Sequence, residues 1–137
     1  MIRFVEAANV TNFSDTLSDS APSTVSDHTI SFVTPTGLGA GGVISLTFQS
    51  GFTGIGSLVA QDLDMNVSGT EESLIDGAAN GVDWNVTTAG QVIDITSGTD
   101  TIGAGATVTI QIGMLYHQWN WNKPNNQPNL WFLHYRC

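Results

Sequence analysis

The chain has 137 residues, with 12 acidic side chains against 3 basic ones and a formal net charge of -9. Length suits one domain with a real core. The charge excludes partners held through phosphate, nucleic acid and anionic membrane alike, because no Lys or Arg occurs between Arg3 and Lys123. A soluble acidic exterior is the simpler consequence, and affinity for divalent cations a second one.

Charged residues are 11% of the chain, against about 25% in ordinary soluble domains. Thr, Ser, Gly and Asn take their place, which is the habit of secreted bacterial surface modules. The single cysteine, Cys137, leaves no internal disulfide. No apolar run approaches the ~20 residues of a membrane span, and Met1 to Ala8 is too short for a signal peptide. The expected location is extracellular or cell-surface, with the export signal removed or lying outside this sequence.

In chain order, the apolar start leads to a first strand around Asn9 to Phe13. Ser14 to Asp27 is polar and contains Pro22, as in an exposed loop. His28 to Phe48 holds two alternating runs joined by Pro35-Thr-Gly-Leu-Gly-Ala-Gly-Gly. Ile30 and Phe32 share one face of the first run, and Ile44, Leu46 and Phe48 share one face of the second. The period of two is that of half-buried strands, and the Gly/Pro linker suggests a hairpin. Leu58 to Val67 reads as one bent strand or two short ones. Ser68 to Gly81 reads as an acidic loop, with Glu71 to Ala79 the sole weak helical candidate. Val82, Trp84 and Val86 point inward on the next strand, Thr88-Ala89-Gly90 turns, and Ile93 and Ile95 point inward on the return. Val108, Ile110 and Ile112 define the last alternating strand. About seven or eight short strands with turns every 8–12 residues predict an all-β, Ig-like antiparallel β-sandwich. Leu38-Gly-Ala-Gly and Ile102-Gly-Ala-Gly each precede an alternating strand. They read either as a recurring corner between two sheets or as the ordinary reuse of Gly turns.

After Gly113 the composition changes. Met114 to Cys137 holds three of the four Trp, both Tyr, two of the three His and no Asp, Glu, Ser or Thr. The expected division is therefore a sandwich module over 1–113 and an atypical aromatic tail over 114–137. His117 to Cys137 can be back-translated so that reading one base later gives Thr-Asn-Gly-Thr-Gly-Thr-Asn-Gln-Thr-Thr-Asn-Pro-Thr-Ser-Gly-Ser-Tyr-Ile-Ile-Asp. That has the composition of the preceding module and ends in an alternating strand. One reading of the tail is thus a frameshifted last strand, and the other is a native binding segment. The nucleotide sequence across the codons for Ile110 to Cys137 separates them.

Asn9-Val-Thr-Asn-Phe-Ser-Asp-Thr-Leu-Ser-Asp-Ser-Ala-Pro-Ser-Thr-Val-Ser-Asp-His-Thr-Ile-Ser-Phe resembles the opening of a repetitive module of large exported surface proteins of uncultured bacteria. Gly41 to Phe48 and Ala104 to Gly113 are similar to that module's strand pattern, and the shifted frame restores its Asn-Pro-Thr segment. The resemblance covers about Val10 to Gly113. It implies an immunoglobulin-like or jelly-roll-like sandwich that is secreted or on the cell surface, and it brings no catalytic motif.

Two groups of residues invite a functional reading. Asp62, Asp64, Glu71, Glu72 and Asp76 lie close together in sequence and could supply the hard oxygens Ca²⁺ prefers. They lack the spacing of a known calcium loop, and a solvated acidic loop is the simpler account of them. Trp119, Trp121, Trp131 and Tyr135 could stack on sugar rings if the tail is native. His28, His117 and His134 show no paired ligand spacing. No Gly-x-Ser-x-Gly elbow is present, and Gly37-Leu-Gly-Ala-Gly-Gly lacks the Lys of a phosphate loop. The sequence therefore predicts a non-enzymatic structural or adhesion module, with no cofactor unless Ca²⁺. Its partners would be neighbouring modules, other surface proteins or glycans, and its open edge strands would permit homo-oligomers. Carbohydrate binding through the tail and a Ca²⁺-stabilised surface-layer or fibre subunit are the alternatives.

Overall fold

A computed structural model describes residues 9–113; the tail residues Trp119, Trp121, Trp131 and Tyr135 lie outside that range. The described chain forms nine strands: β1 (Thr11–Leu17), β2 (His28–Thr34), β3 (Val43–Thr47), β4 (Leu63–Val67), β5 (Thr70–Glu72), β6 (Leu74–Asp76), β7 (Trp84–Ala89), β8 (Val92–Ser97) and β9 (Ala106–Ile112). Short 3-10 turns at Ile55–Ser57 and Ala60–Asp62 are its only helical pieces. The strands make two sheets, ordered β1-β2-β9-β4-β5 and β3-β8-β7-β6. This is the all-β sandwich that the alternation predicts.

Alternation specifies faces well. Ile30, Phe32, Ile44, Leu46, Val86, Ile93, Ile95, Val108, Ile110 and Ile112 are all buried in one core between the sheets, with Met65 and Trp84. Successive side chains on a strand point to opposite faces, so one apolar residue in two suffices to line it. Val82 departs from the pattern: it is 66% exposed, because it lies before the first residue of β7.

Pairing differs from expectation. His28 to Phe48 is not a hairpin. β2 pairs with β9 in one sheet, and β3 pairs with β8 in the other. The Gly/Pro linker carries the chain from sheet to sheet. The register runs Thr34↔Ala106, then Leu38↔Ile102, then Val43↔Thr96. Residues 28–47 and 92–112 thus form one long antiparallel ribbon that folds over itself at the Gly-rich corners. The two Leu/Ile-Gly-Ala-Gly segments are its two legs, side by side. Leu38 and Ile102 exchange both backbone hydrogen bonds at 2.8 Å. Gly37 is required there: its φ is +75°, and a Cβ would collide with the Ile102 carbonyl.

Thr70 to Asp76 is extended rather than looped or helical. β5 pairs with β4 in the first sheet, and β6 pairs with β7 in the second. The stretch crosses between sheets at Ser73, whose carbonyl accepts the Trp84 N–H at 2.8 Å. It closes that side of the sandwich and brings the strand count to nine. The β6–β7 pair is parallel while every other pair is antiparallel. Leu58 to Val67 resolves into the second 3-10 turn followed by β4.

Candidate functional site: the seam between β1 and β3

Among the described residues the other side of the sandwich is open. Because the ribbon folds β2 over β3 and β9 over β8, β1 extends beyond β2 with no strand of the second sheet to face. All seven of its residues are exposed. Its register with β2 shifts between Thr11 and Ser14, where Asn12 takes a φ of 53°. The seam between β1 and the free edge of β3 is a cleft of about 540 Å³. Phe13, Asp15 and Ile30 contribute from the first sheet, and Leu46, Phe48 and Phe52 from the other wall.

His28 lies at the end of β2 and is 5% exposed. Its Nδ1 meets both Asp15 carboxylate oxygens, at 2.9 and 3.1 Å. The ring stands edge-on to Phe48 and Phe52, with centroids 5.3 and 5.2 Å away. The two phenyl rings pack on each other at 5.8 Å. Phe52 is held in place by its own loop: its N–H donates to the Gln49 carbonyl at 3.1 Å, and its carbonyl accepts from Gln91 Nε2 at 2.9 Å. A buried polar ring survives here because a carboxylate satisfies it and aromatic edges surround it. The pair joins β1 to β2. Sequence reasoning missed it, since Asp15 falls in a stretch that reads as loop and its partner lies 13 residues away.

The backbone of β3 is the other feature of the seam. Phe48 N–H donates to Gln91 and Ser97 N–H donates to Gly42. In an antiparallel ladder such pairs recur at alternate residues. Ile44 and Leu46 therefore share the bonds to β8, while the N–H and C=O groups of Val43, Ser45 and Thr47 face outward with no other described strand beside them. The other edges are guarded. β1 has its register shift and the inward charge of Asp15, and β5 and β6 are three residues long with Glu71, Glu72 and Asp76. These are the usual protections of an edge strand, and β3, Val-Ile-Ser-Leu-Thr, carries none of them.

The acidic five do not converge. Asp62 accepts the Val59 N–H at 2.9 Å, and Asp76 accepts the Ala60 N–H at 2.8 Å; both carboxylates fasten the second 3-10 turn. Glu71 lies against Asp64, and Glu72 against Asp100. Partial burial, then the hydrogen bond and negative charge of Asp64, raise the Glu71 pKa, with Asn66 opposing. Partial burial, then Asp100, raise that of Glu72, while the Trp84 indole lowers it. Trp84 Nε1 nonetheless has no partner within hydrogen-bonding geometry. Its influence on Glu72 is that of a nearby dipole rather than a formed bond. Among the described residues no group of three or more His, Cys, Asp or Glu side chains is placed to hold a metal ion. No helix among them is long and apolar enough to cross a membrane.

No protein-family model matches the chain, and no curated protein or solved structure matches it either.

Proposed function

We propose that this chain is a non-enzymatic structural or adhesion module of a secreted or cell-surface protein, and that it meets its partners along the β1–β3 seam. The observation that carries the reading is the asymmetry of the sandwich. One side is closed by an acidic, doubly paired stretch, and the other presents, among the described residues, an unguarded strand edge above a cleft lined by Phe13, Ile30, Leu46, Phe48 and Phe52 with four polar side chains. Such an edge is a template for pairing with another chain. The exterior, acidic and rich in Ser, Thr and Gly, supports an exposed location. The Asp15–His28 pair is the nearest thing to a catalytic dyad. Its imidazole is enclosed by Phe48 and Phe52, and the Ser45 hydroxyl that lines the same cleft donates to Asp94 rather than to the histidine.

Antibodies raised against the folded chain test the location. Labelling of intact source cells is the expected result, and labelling only after permeabilisation would refute it. The glycan reading rests on Trp119, Trp121, Trp131 and Tyr135; it requires that W119A and W121A abolish binding to a glycan panel.

A further inference from the structure

We propose that the seam is the seat of one extended strand donated by another polypeptide, uncharged or basic and apolar at alternate residues. The inference rests on the reading of the chain as a module that contacts partners through this seam, and it names the partner's chemistry.

Three observations carry it. The first is width. β1 overhangs β3 by one strand position, so the first sheet already occupies the layer above the place beside β3 that no described strand fills. A second sandwich approaching edge to edge would drive its own first sheet into β1. A lone strand fits. The second is the backbone. Val43, Ser45 and Thr47 offer outward N–H and C=O groups at alternate positions, the pattern an added strand needs. The incoming side chains that point inward would meet Phe13, Ile30, Leu46 and Phe52 in the cleft. Phe13 is 60% exposed as the chain stands. The third is charge. No Asp, Glu, Lys or Arg occurs from His28 to Gln61 in a chain of net charge -9. The seam's β3 wall belongs to this uncharged belt, and Asp15 on the opposite wall is engaged by His28. An acidic strand would be repelled by the surrounding surface, and a neutral or basic one would not.

The test uses the full chain and a fluorescent probe peptide of alternating Thr and Ile between terminal lysines. A second peptide carries N-methyl groups on the amides that would face β3. A third replaces the threonines with aspartate. Polarisation should show binding of the first peptide and a loss of about tenfold or more for the other two, a loss of the size expected from about 1.4 kcal/mol. S45P removes an outward N–H and the Ser45 hydroxyl bond to Asp94 but leaves the backbone ladder to β8 intact, which edge strands tolerate. T47P removes the outward N–H two residues on. Either variant that keeps the parent melting temperature within a few degrees should lose binding to the same extent. Equal binding of the N-methylated peptide, or undiminished binding by the folded proline variants, would reduce the effect to apolar adhesion and overturn the proposal. Absence of binding by all three peptides would overturn it too. Slow amide exchange at Val43, Ser45 and Thr47 without peptide would assign the seat to the chain's own residues, and a mass that doubles with concentration would assign it to a second copy. Surface labelling of intact cells is independent of all these outcomes, so the location reading can stand if the donated strand fails.

Discussion

At the scale of single residues, His28 has the most to lose. Its Nδ1–H donates to Asp15, and replacing that carboxylate by methyl leaves a buried donor without an acceptor. Such orphaning costs about 1–3 kcal/mol; with Asp15's side chain 31% exposed, water can reach the site and the lower end of that range applies. D15A should therefore lower stability by about 1 kcal/mol, and amide exchange should quicken along β1 more than elsewhere. Thermal unfolding and exchange mass spectrometry read the two effects. Trp84 poses the opposite case. It is fully buried and its N–H is already unpartnered, so W84F removes an unsatisfied donor while it opens a cavity. W84A removes the same donor but opens a far larger cavity, and should cost about 3–5 kcal/mol. W84F should cost distinctly less, and chemical denaturation of the two variants checks the order. The core role of Trp84 was legible from its alternation with Val86. The buried histidine was not, because alternation records which face a residue takes and nothing about a partner on another strand.

At the scale of elements, β5 contains two carboxylates that folding makes harder to ionise. Glu71 and Glu72 both have pKa values raised above 4.5. The folded state therefore holds their protons more tightly than the unfolded chain does. Their contribution to stability is fully present below the unfolded pKa and is lost as pH rises through the raised folded values. E71Q and E72Q remove this dependence. The double variant should gain melting temperature over the parent near neutral pH, and the gain should vanish as pH falls below the ordinary carboxylate range. A gain independent of pH would mean that neither the burial of the two charges nor their repulsion by Asp64 and Asp100 is its source. The corner between β2 and β3 shows what sequence can and cannot specify at this scale. A Gly/Pro linker between two alternating runs is as compatible with a hairpin as with a crossing between sheets. The clue lay in the likeness of Leu38-Gly-Ala-Gly to Ile102-Gly-Ala-Gly, which in the fold are hydrogen-bonded neighbours. G37A should disrupt both legs of the ribbon at once, since the added Cβ strikes the opposite carbonyl.

For the whole molecule the governing fact is an excess of negative charge with few local opponents. Between residues 9 and 113 no Lys or Arg occurs, and His28 pairs with a carboxylate already. Self-repulsion of this kind destabilises a compact state, and salt screens it, with a Debye length near 10 Å at 0.1 M. The melting temperature should therefore rise as NaCl is raised from very low to physiological ionic strength. The same argument separates screening from specific calcium binding. Asp62 and Asp76 are occupied with backbone N–H groups, and although the charge of Glu71 is felt by Glu72, no three carboxylates among the described residues are placed to share one ion. If that arrangement governs, CaCl₂ and NaCl at matched ionic strength should raise the melting temperature alike, apart from the modest extra screening expected of a divalent ion. MgCl₂ is the control for that extra. A calcium effect well beyond magnesium's, removed by D64N or E71Q, would require the acidic loops to rearrange around an ion. It would bring back the calcium-stabilised fibre subunit as the better description of this chain.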